Sequence, residues 1–250
     1  RVIDYKSRKK YIKIWDSQAQ DYEYNINCLS SSRLKINLVT KFIQQNHKVL
    51  DIGCANGLYM THLISSCEKI TGIDISNKML DYAKSALSNT GFDNFNLYNQ
   101  SAASLTFPNE SFDLVYSFST LLLVPDVMGA LDEIARVLRP GGRAILDITG
   151  HYNLSRIYHN YFYKKKGSFG VNSFSYSNIT NKLNKLGFVI EESHALGFLD
   201  QYHYIPGIHK FKFLEQKIHG SVDPDLDYRV SNSKFFFKMA NRWYFVVRKA

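Results

Sequence analysis

Val49–Gly57, VLDIGCANG, is a short apolar run that passes directly into a glycine-spaced turn. Val49, Leu50 and Ile52 are residues that a strand carries when a parallel sheet is covered on both faces. Asp51 interrupts them. A carboxylate at the end of a buried strand is costly unless it meets a cation or hydrogen-bond donors, so its position predicts a ligand contact. Gly53 and Gly57 bracket a turn in which backbone bends tightly and approaches a ligand closely. Leu58 to Ser66 reads as the helix that follows, its first N–H groups aimed at the crevice. The dinucleotide fingerprint G-x-G-x-x-G needs a different spacing. Here Gly53, Ala55 and Gly57 leave the last interval one residue short and put alanine in the middle, which weakens a nicotinamide or flavin reading.

On either side of this turn, apolar strands and helical stretches alternate. Lys69–Asp74, Phe95–Tyr98, Phe112–Phe118 and Arg143–Ile148 read as strands, with helices over Asn77–Leu87 and Asp126–Leu138. That alternation predicts an α/β, doubly wound, Rossmann-like sheet. After Gly150 a helix over Ser177–Leu186 leads to strands Phe188–Glu192 and Tyr244–Arg248. Between them Gly197 to Ala240 forms a long aromatic insertion, the kind of connection that carries function or binds a partner. The expected organisation is a helical lid over residues 1–47, a ligand-binding core over 48–150, and a substrate-side cap with the closing strands over 151–250.

The 250 residues, 45% hydrophobic, suffice for one large domain. No uninterrupted run of about 18 apolar residues suggests a membrane span. The basic first residues lack the apolar core of a signal peptide. Cys28, Cys54 and Cys67 have neither metal-site spacing nor an even disulfide count, which predicts no metal and a reducing, cytoplasmic setting. The net charge of +9 is uneven: 16 basic against 15 acidic residues up to 150, and 15 against 7 beyond. An anionic small molecule or RNA would be drawn to the later part, although such runs are most often solvated surface.

Asp74 ends the second strand, KITGID, where a carboxylate can accept both hydroxyls of a ribose or cap the next helix. Downstream lie SLTFPNESFDLVYS and RVLRPGGRAILDI. With these four motifs in order over residues 49–148, the chain resembles the class I S-adenosylmethionine-dependent methyltransferases, most closely the small-molecule and ubiquinone-type branch. The resemblance implies a seven-stranded sheet with an antiparallel last strand, and S-adenosyl-L-methionine as cofactor. It implies a methionine subsite at Asp51, Gly53, Cys54, Ala55, Asn56 and Gly57, with Asp51 facing the ammonium group. Asp74 would take the ribose, Ile75 and Met79 would pack on adenine, and Ser101 with Ala102 would border its edge. Ser117, Phe118 and Ser119 would face the transferred methyl, and Tyr22 and Arg33 match loosely the positions that close over the cofactor carboxylate.

The chain also departs from the family pattern. Ala55 stands for a glycine and is expected to forgo a left-handed conformation. Ser101 stands for an aspartate, and Leu122 and Leu123 replace a histidine or aromatic residue. His151, after the fifth strand, is the candidate general base, although a lone histidine there is more often a cap or surface residue. The implied activity is methyl transfer to an O or N atom of a small molecule. The alternatives are a tRNA or rRNA methyltransferase and a cofactor-binding protein without catalysis. A homodimer through surface aromatic residues is a further expectation.

Overall fold

The computed structural model of the chain describes residues 12–13, 15–16, 30–152, 171–199 and 224–250. Helix α1 (Ser30–Phe42) leads into strand β1 (Lys48–Ile52), followed by α2 (Leu58–Leu63), β2 (Lys69–Asp74), α3 (Asn77–Ser88) and β3 (Phe95–Asn99). Then come β4 (Phe112–Ser117), α4 (Val127–Val137), β5 (Leu138–Thr149), α5 (Tyr176–Lys185), β6 (Phe188–Leu196), α6 (Pro224–Ser231) and β7 (Arg242–Lys249). The seven strands form one sheet in the order β3-β2-β1-β4-β5-β7-β6. The first five run parallel, and β7 is antiparallel to both β5 and β6. This is the expected Rossmann-like architecture. Among the described residues no helix is long and apolar enough to cross a membrane.

Strand alternation divides the core into two layers. Leu50 and Ile52 of β1 join Val115, Ile134, Leu146, Trp243 and Phe245 on one face. Val49 joins Met60, Leu63, Ile70, Leu114, Tyr116 and Tyr244 on the other. Each fully buried aliphatic side chain contributes roughly 1.5–3 kcal/mol, so the central strands β1 and β4, covered on both sides, anchor the carboxyl-end turns rigidly. Helix starts follow local chemistry. The Ser76, Asp126 and Ser175 side chains accept from the N–H groups of Met79, Gly129 and Asn178 and cap α3, α4 and α5.

The fifth strand is longer than its apolar stretch predicts. Leu138 already pairs with Phe112, after which the register jumps to Leu114 opposite Arg143. The RPGG segment therefore bulges out of a strand that resumes beyond it, with Gly141 in the left-handed region at φ 76°. Just before it, Arg136 anchors the loop that precedes β4. Its guanidinium donates to the carbonyls of Phe107 at 2.7 Å and Leu105 at 3.0 Å, and forks onto Glu133. A lysine keeps the charge but cannot make this fork. Arg136→Lys is expected to cost about 1–2 kcal/mol, lowering the calorimetric Tm by about 2–8 °C in a domain of this size. An unchanged Tm would show that the fork is energetically idle.

Candidate functional site

The carboxyl ends of β1, β2 and β4 open onto a cavity of about 380 Å³. Its chemistry begins in the turn after β1. Gly53 N–H and Cys54 N–H both donate to the Ile73 carbonyl, at 2.8 and 2.9 Å, which pins the turn to the end of β2. Gly53 sits at φ 79°. A methyl group on it would meet Thr120 Oγ1 at 2.0 Å, so the turn and the loop after β4 touch through a glycine-sized gap. Ala55 adopts φ 46°, correcting the expectation that alanine would forgo the left-handed region. The surrounding bonds impose the conformation, at a cost of about 1–2 kcal/mol.

What holds Ala55 is Asp74. Its Oδ2 accepts from Ala55 N–H at 3.1 Å and its Oδ1 from Ser76 N–H at 2.9 Å. Burial pushes the carboxyl pKa up while these amide bonds pull it down, and burial wins. The side-chain cap of α3 is Ser76 rather than Asp74, so Asp74 lines the cavity as a carboxylate tied to both neighbouring turns.

Asp51 lies behind the same turn, 2% exposed. Its Oδ2 has no well-formed hydrogen bond, and neither has the Tyr116 hydroxyl beside it on the neighbouring strand. Desolvation is the chief cause of a pKa raised to about 8, the Tyr116 hydroxyl offsetting it in part and Asp74 adding to it. A buried acceptor atom left in this state fits a ligand donor that comes in through the turn.

The far wall is the loop after β4. Ser119 takes φ 55°, its N–H donates to Asp147 Oδ2 at 3.0 Å, and Lys35 Nζ donates to its hydroxyl at 3.1 Å. Arg242 NH1 donates to Asp147 Oδ1 at 2.9 Å. Lys35 and Asp147 are both almost fully buried. Burial works against the Asp147 carboxylate, but Arg242 and then Lys35 outweigh it and hold its pKa below the usual range. Burial lowers the Lys35 pKa, with Asp147 pushing back.

Nine residues expected from the sequence line the cavity: Gly53 and Ala55 after β1, Asp74, Ile75 and Met79 from the end of β2 and the start of α3, Ser101 and Ala102 after β3, and Phe118 and Ser119 after β4. Asp51, near the end of β1, and Cys54, Asn56 and Gly57 of the turn do not line the cavity. Ser117 is buried and donates to the Ile52 carbonyl at 3.1 Å. Arg33 is exposed on α1 and does not line the cavity, whereas Lys35, on the buried side of the same helix, reaches its wall. Tyr22 lies outside the described residues. His151 is half-buried after β5, its Nδ1 3.3 Å from the Ser173 hydroxyl, and it too is absent from the lining.

Several site residues carried no recognised signal in the sequence. Trp15, from the leading segment, lines the cavity, as do Thr120, Leu123 and Val124. Asn172 closes this rim from behind, its side chain donating to the Val124 carbonyl and its N–H to the Leu122 carbonyl at 2.7 Å. The Lys35–Asp147–Arg242 cluster was equally unforeseen. Its only local trace is a carboxylate inside the apolar run AILDIT.

A methyltransferase-domain family model matches residues 50–146. The demethylmenaquinone methyltransferase of Staphylococcus epidermidis is 30% identical over 159 residues, covering 60% of this chain and 65% of the relative. The match therefore spans just under two thirds of that relative's length. Among solved structures, an S-adenosylmethionine-dependent methyltransferase from Mesorhizobium loti aligns with a TM-score of 0.61 at 18% identity, over 90% of this chain and 100% of the other. Phosphoethanolamine N-methyltransferase 2 of Haemonchus contortus, in complex with S-adenosyl-L-methionine, aligns at 0.61 and 19% identity, over 87% of this chain and 52% of its own. At such identities the structural likeness is one of fold.

Proposed function

We propose that the chain is a class I S-adenosylmethionine-dependent methyltransferase that moves a methyl group from that cofactor to an O or N atom of a small molecule, a reading supported by the methyltransferase-domain match over residues 50–146 and by the likeness to demethylmenaquinone methyltransferase. The observation that carries this reading is the cavity itself. A carboxylate tied to two turns stands on one side and a polar loop on the other, both at the carboxyl ends of parallel strands.

The expected cofactor residues fit the group. Asp74 has the chemistry to accept ribose hydroxyls, Ile75 and Met79 form an apolar slot for a flat ring, and Asp51 offers an unsatisfied oxygen to an ammonium. Bound there, S-adenosylmethionine supplies an electrophilic methyl on a sulfonium. The protein's own part is to hold and to dry. Gly53 lets the turn approach closely, while Phe118, Leu123 and Val124 exclude water from the same space. His151, with its Nδ1 3.3 Å from the Ser173 hydroxyl, remains the proposed base for an acceptor that must lose a proton. The free, buried thiols of Cys54 and Cys67 support a reducing, cytoplasmic setting. A homodimer belongs to the same proposal, and light scattering would register it as doubled mass.

Incubation with methyl-labelled cofactor and small-molecule extract is expected to label a low-mass product at an O or N atom. Label found only in RNA or protein overturns the small-molecule reading. Asp74→Ala removes the ribose carboxylate and the clamp on Ala55 together. It is expected to weaken S-adenosylhomocysteine binding by about 10- to 100-fold in calorimetry, the worth of one or two charge-assisted hydrogen bonds. Wild-type affinity in that variant would remove Asp74 from the site.

A further inference from the structure

Besides Asp74, the cavity carries one more carboxylate among its described lining residues. Asp126, the residue before α4, lines it together with Ser101 and Ala102 after β3 and with Val124 and Pro125. Its Oδ1 accepts from the Gly129 N–H at 2.9 Å and so caps the helix. Its Oδ2 makes no hydrogen bond among the described residues. A Cβ at position 129 would stand 2.5 Å from that Oδ2. Glycine weakens a helix, and here its missing side chain leaves the second oxygen its place.

Packing sets the start of α4 beside the loop after β3. Val127, the neighbour of Asp126, shares one buried cluster with Ala102 and Leu105, and Ala103 and Val124 pack against the same cluster. A hydrogen bond ties the two segments as well, Leu105 N–H donating to Glu133 Oε2 of α4 at 2.7 Å. Asp126 thus belongs to the part of the cavity where Ser101 and Ala102 would border an adenine.

The polar groups of this part differ in what they can still accept. The edge of an adenine presents an exocyclic amino group, which requires an acceptor. Gln100 is engaged with Thr106 at both ends, its carbonyl accepting from the N–H at 3.0 Å and its amide donating to the hydroxyl at 2.8 Å. Ser101 Oγ accepts from the Ala103 N–H at 3.4 Å, and a neutral hydroxyl is the weaker acceptor. Both oxygens of Asp74 hold the turns at Ala55 and Ser76. Asp126 has one oxygen engaged and one to offer, and an ionised carboxylate only accepts.

We propose, resting on the methyltransferase reading, that Asp126 Oδ2 accepts a hydrogen bond from the exocyclic amino group of the cofactor's adenine. One side chain then starts α4 with one oxygen and reads the base with the other. Asp126 selects for an aminopurine and against an oxopurine, whose carbonyl would set an acceptor against the carboxylate.

The test titrates the full chain calorimetrically with S-adenosylhomocysteine and with S-inosylhomocysteine, in which a carbonyl replaces the amino group. The wild-type protein is expected to bind the adenine compound about tenfold or more tightly. Asp126→Ser retains a good cap, but its single oxygen is engaged there, so the two affinities are expected to converge. Asp126→Asn caps through its oxygen and offers the base an N–H donor, so the inosine compound is expected to bind as tightly as the adenine compound or more so. A residue that served only as a cap would lower the melting temperature and both affinities alike, leaving their ratio unchanged. Equal affinities in the wild type, or an unchanged ratio in either variant, overturn the proposal. Uptake of S-adenosylhomocysteine is read separately: a chain that binds both compounds equally loses this proposal alone, and one that binds neither loses the cofactor reading as well.

Discussion

Gly53→Ala is expected to abolish useful cofactor binding, weakening S-adenosylhomocysteine by about 100-fold or more and destabilising the fold by about 2–5 kcal/mol. Two separate costs add. At φ 79° a Cβ costs roughly 1–2 kcal/mol whatever the space around it. That Cβ would also lie 2.0 Å from Thr120 Oγ1 and 2.4 Å from its Cγ2, far inside any contact distance. Thr120 cannot retreat alone, because its hydroxyl is bonded to the Phe118 carbonyl at 3.1 Å, and the residue between them, Ser119, hangs on Asp147. The added methyl therefore displaces the opposite wall of the cavity as well as the turn. A double-mutant cycle separates the costs: Thr120→Gly in the same chain removes the atoms that clash and should return the packing part, leaving the backbone part. Equal melting temperatures and affinities for Gly53→Ala and wild type would refute the close approach of turn and loop.

The contact between Gly53 and Thr120 also marks how far a sequence can be read. The turn itself was legible, because a glycine pair after an apolar run is a local pattern. So were Asp74 and the order of strands, since alternating burial writes itself into consecutive residues. The loop that presses on Gly53 lies 67 positions away in the chain, and nothing local announces it. Lys35 is separated from Ser119 by 84 positions, and Asp147 from Arg242 by 95. On α1 a lysine reads as solvent-facing, and Arg33 looked the better cation. Only packing against Tyr59, Phe118 and Tyr244 shows which of the two turns inward. Ala55 failed for a different reason. Its intrinsic preference argues against φ 46°, and the bond from its N–H to Asp74, a tertiary contact, overrides that preference. The Glu192–His194–Tyr228 cluster on β6 and α6, with Nδ1 of His194 2.7 Å from the tyrosine hydroxyl, was equally invisible for want of any motif.

Asp51→Asn is expected to move stability and binding in opposite directions. The Asp51 carboxyl has its pKa raised from 3.8 to about 8, with burial as the leading cause. A folded-state pKa above the unfolded one means that the native chain holds a proton the unfolded chain has released. Stability is therefore greatest below about pH 4 on this account and declines as pH rises toward 8. Asparagine has no proton to lose, so the variant escapes the decline. Without ligand it should be more stable than wild type at pH 8, by at most on the order of 5 kcal/mol, and the gain should shrink as the pH is lowered. Binding runs the other way. An ammonium brought to Asp51 favours the carboxylate, so wild-type affinity for S-adenosylhomocysteine should rise with pH until about 8, with a proton released on binding. In Asp51→Asn that pH dependence should vanish and affinity should fall by about 10- to 100-fold. Calorimetry in buffers of different ionisation enthalpy reads the proton directly. A variant less stable than wild type at pH 8 would refute the desolvated carboxyl, and unchanged affinity with no proton release would remove Asp51 from the ligand. If both expectations hold, the carboxylate that interrupts VLDIG is a stability cost that the fold carries for its ligand, which explains why an otherwise apolar strand ends in an acid.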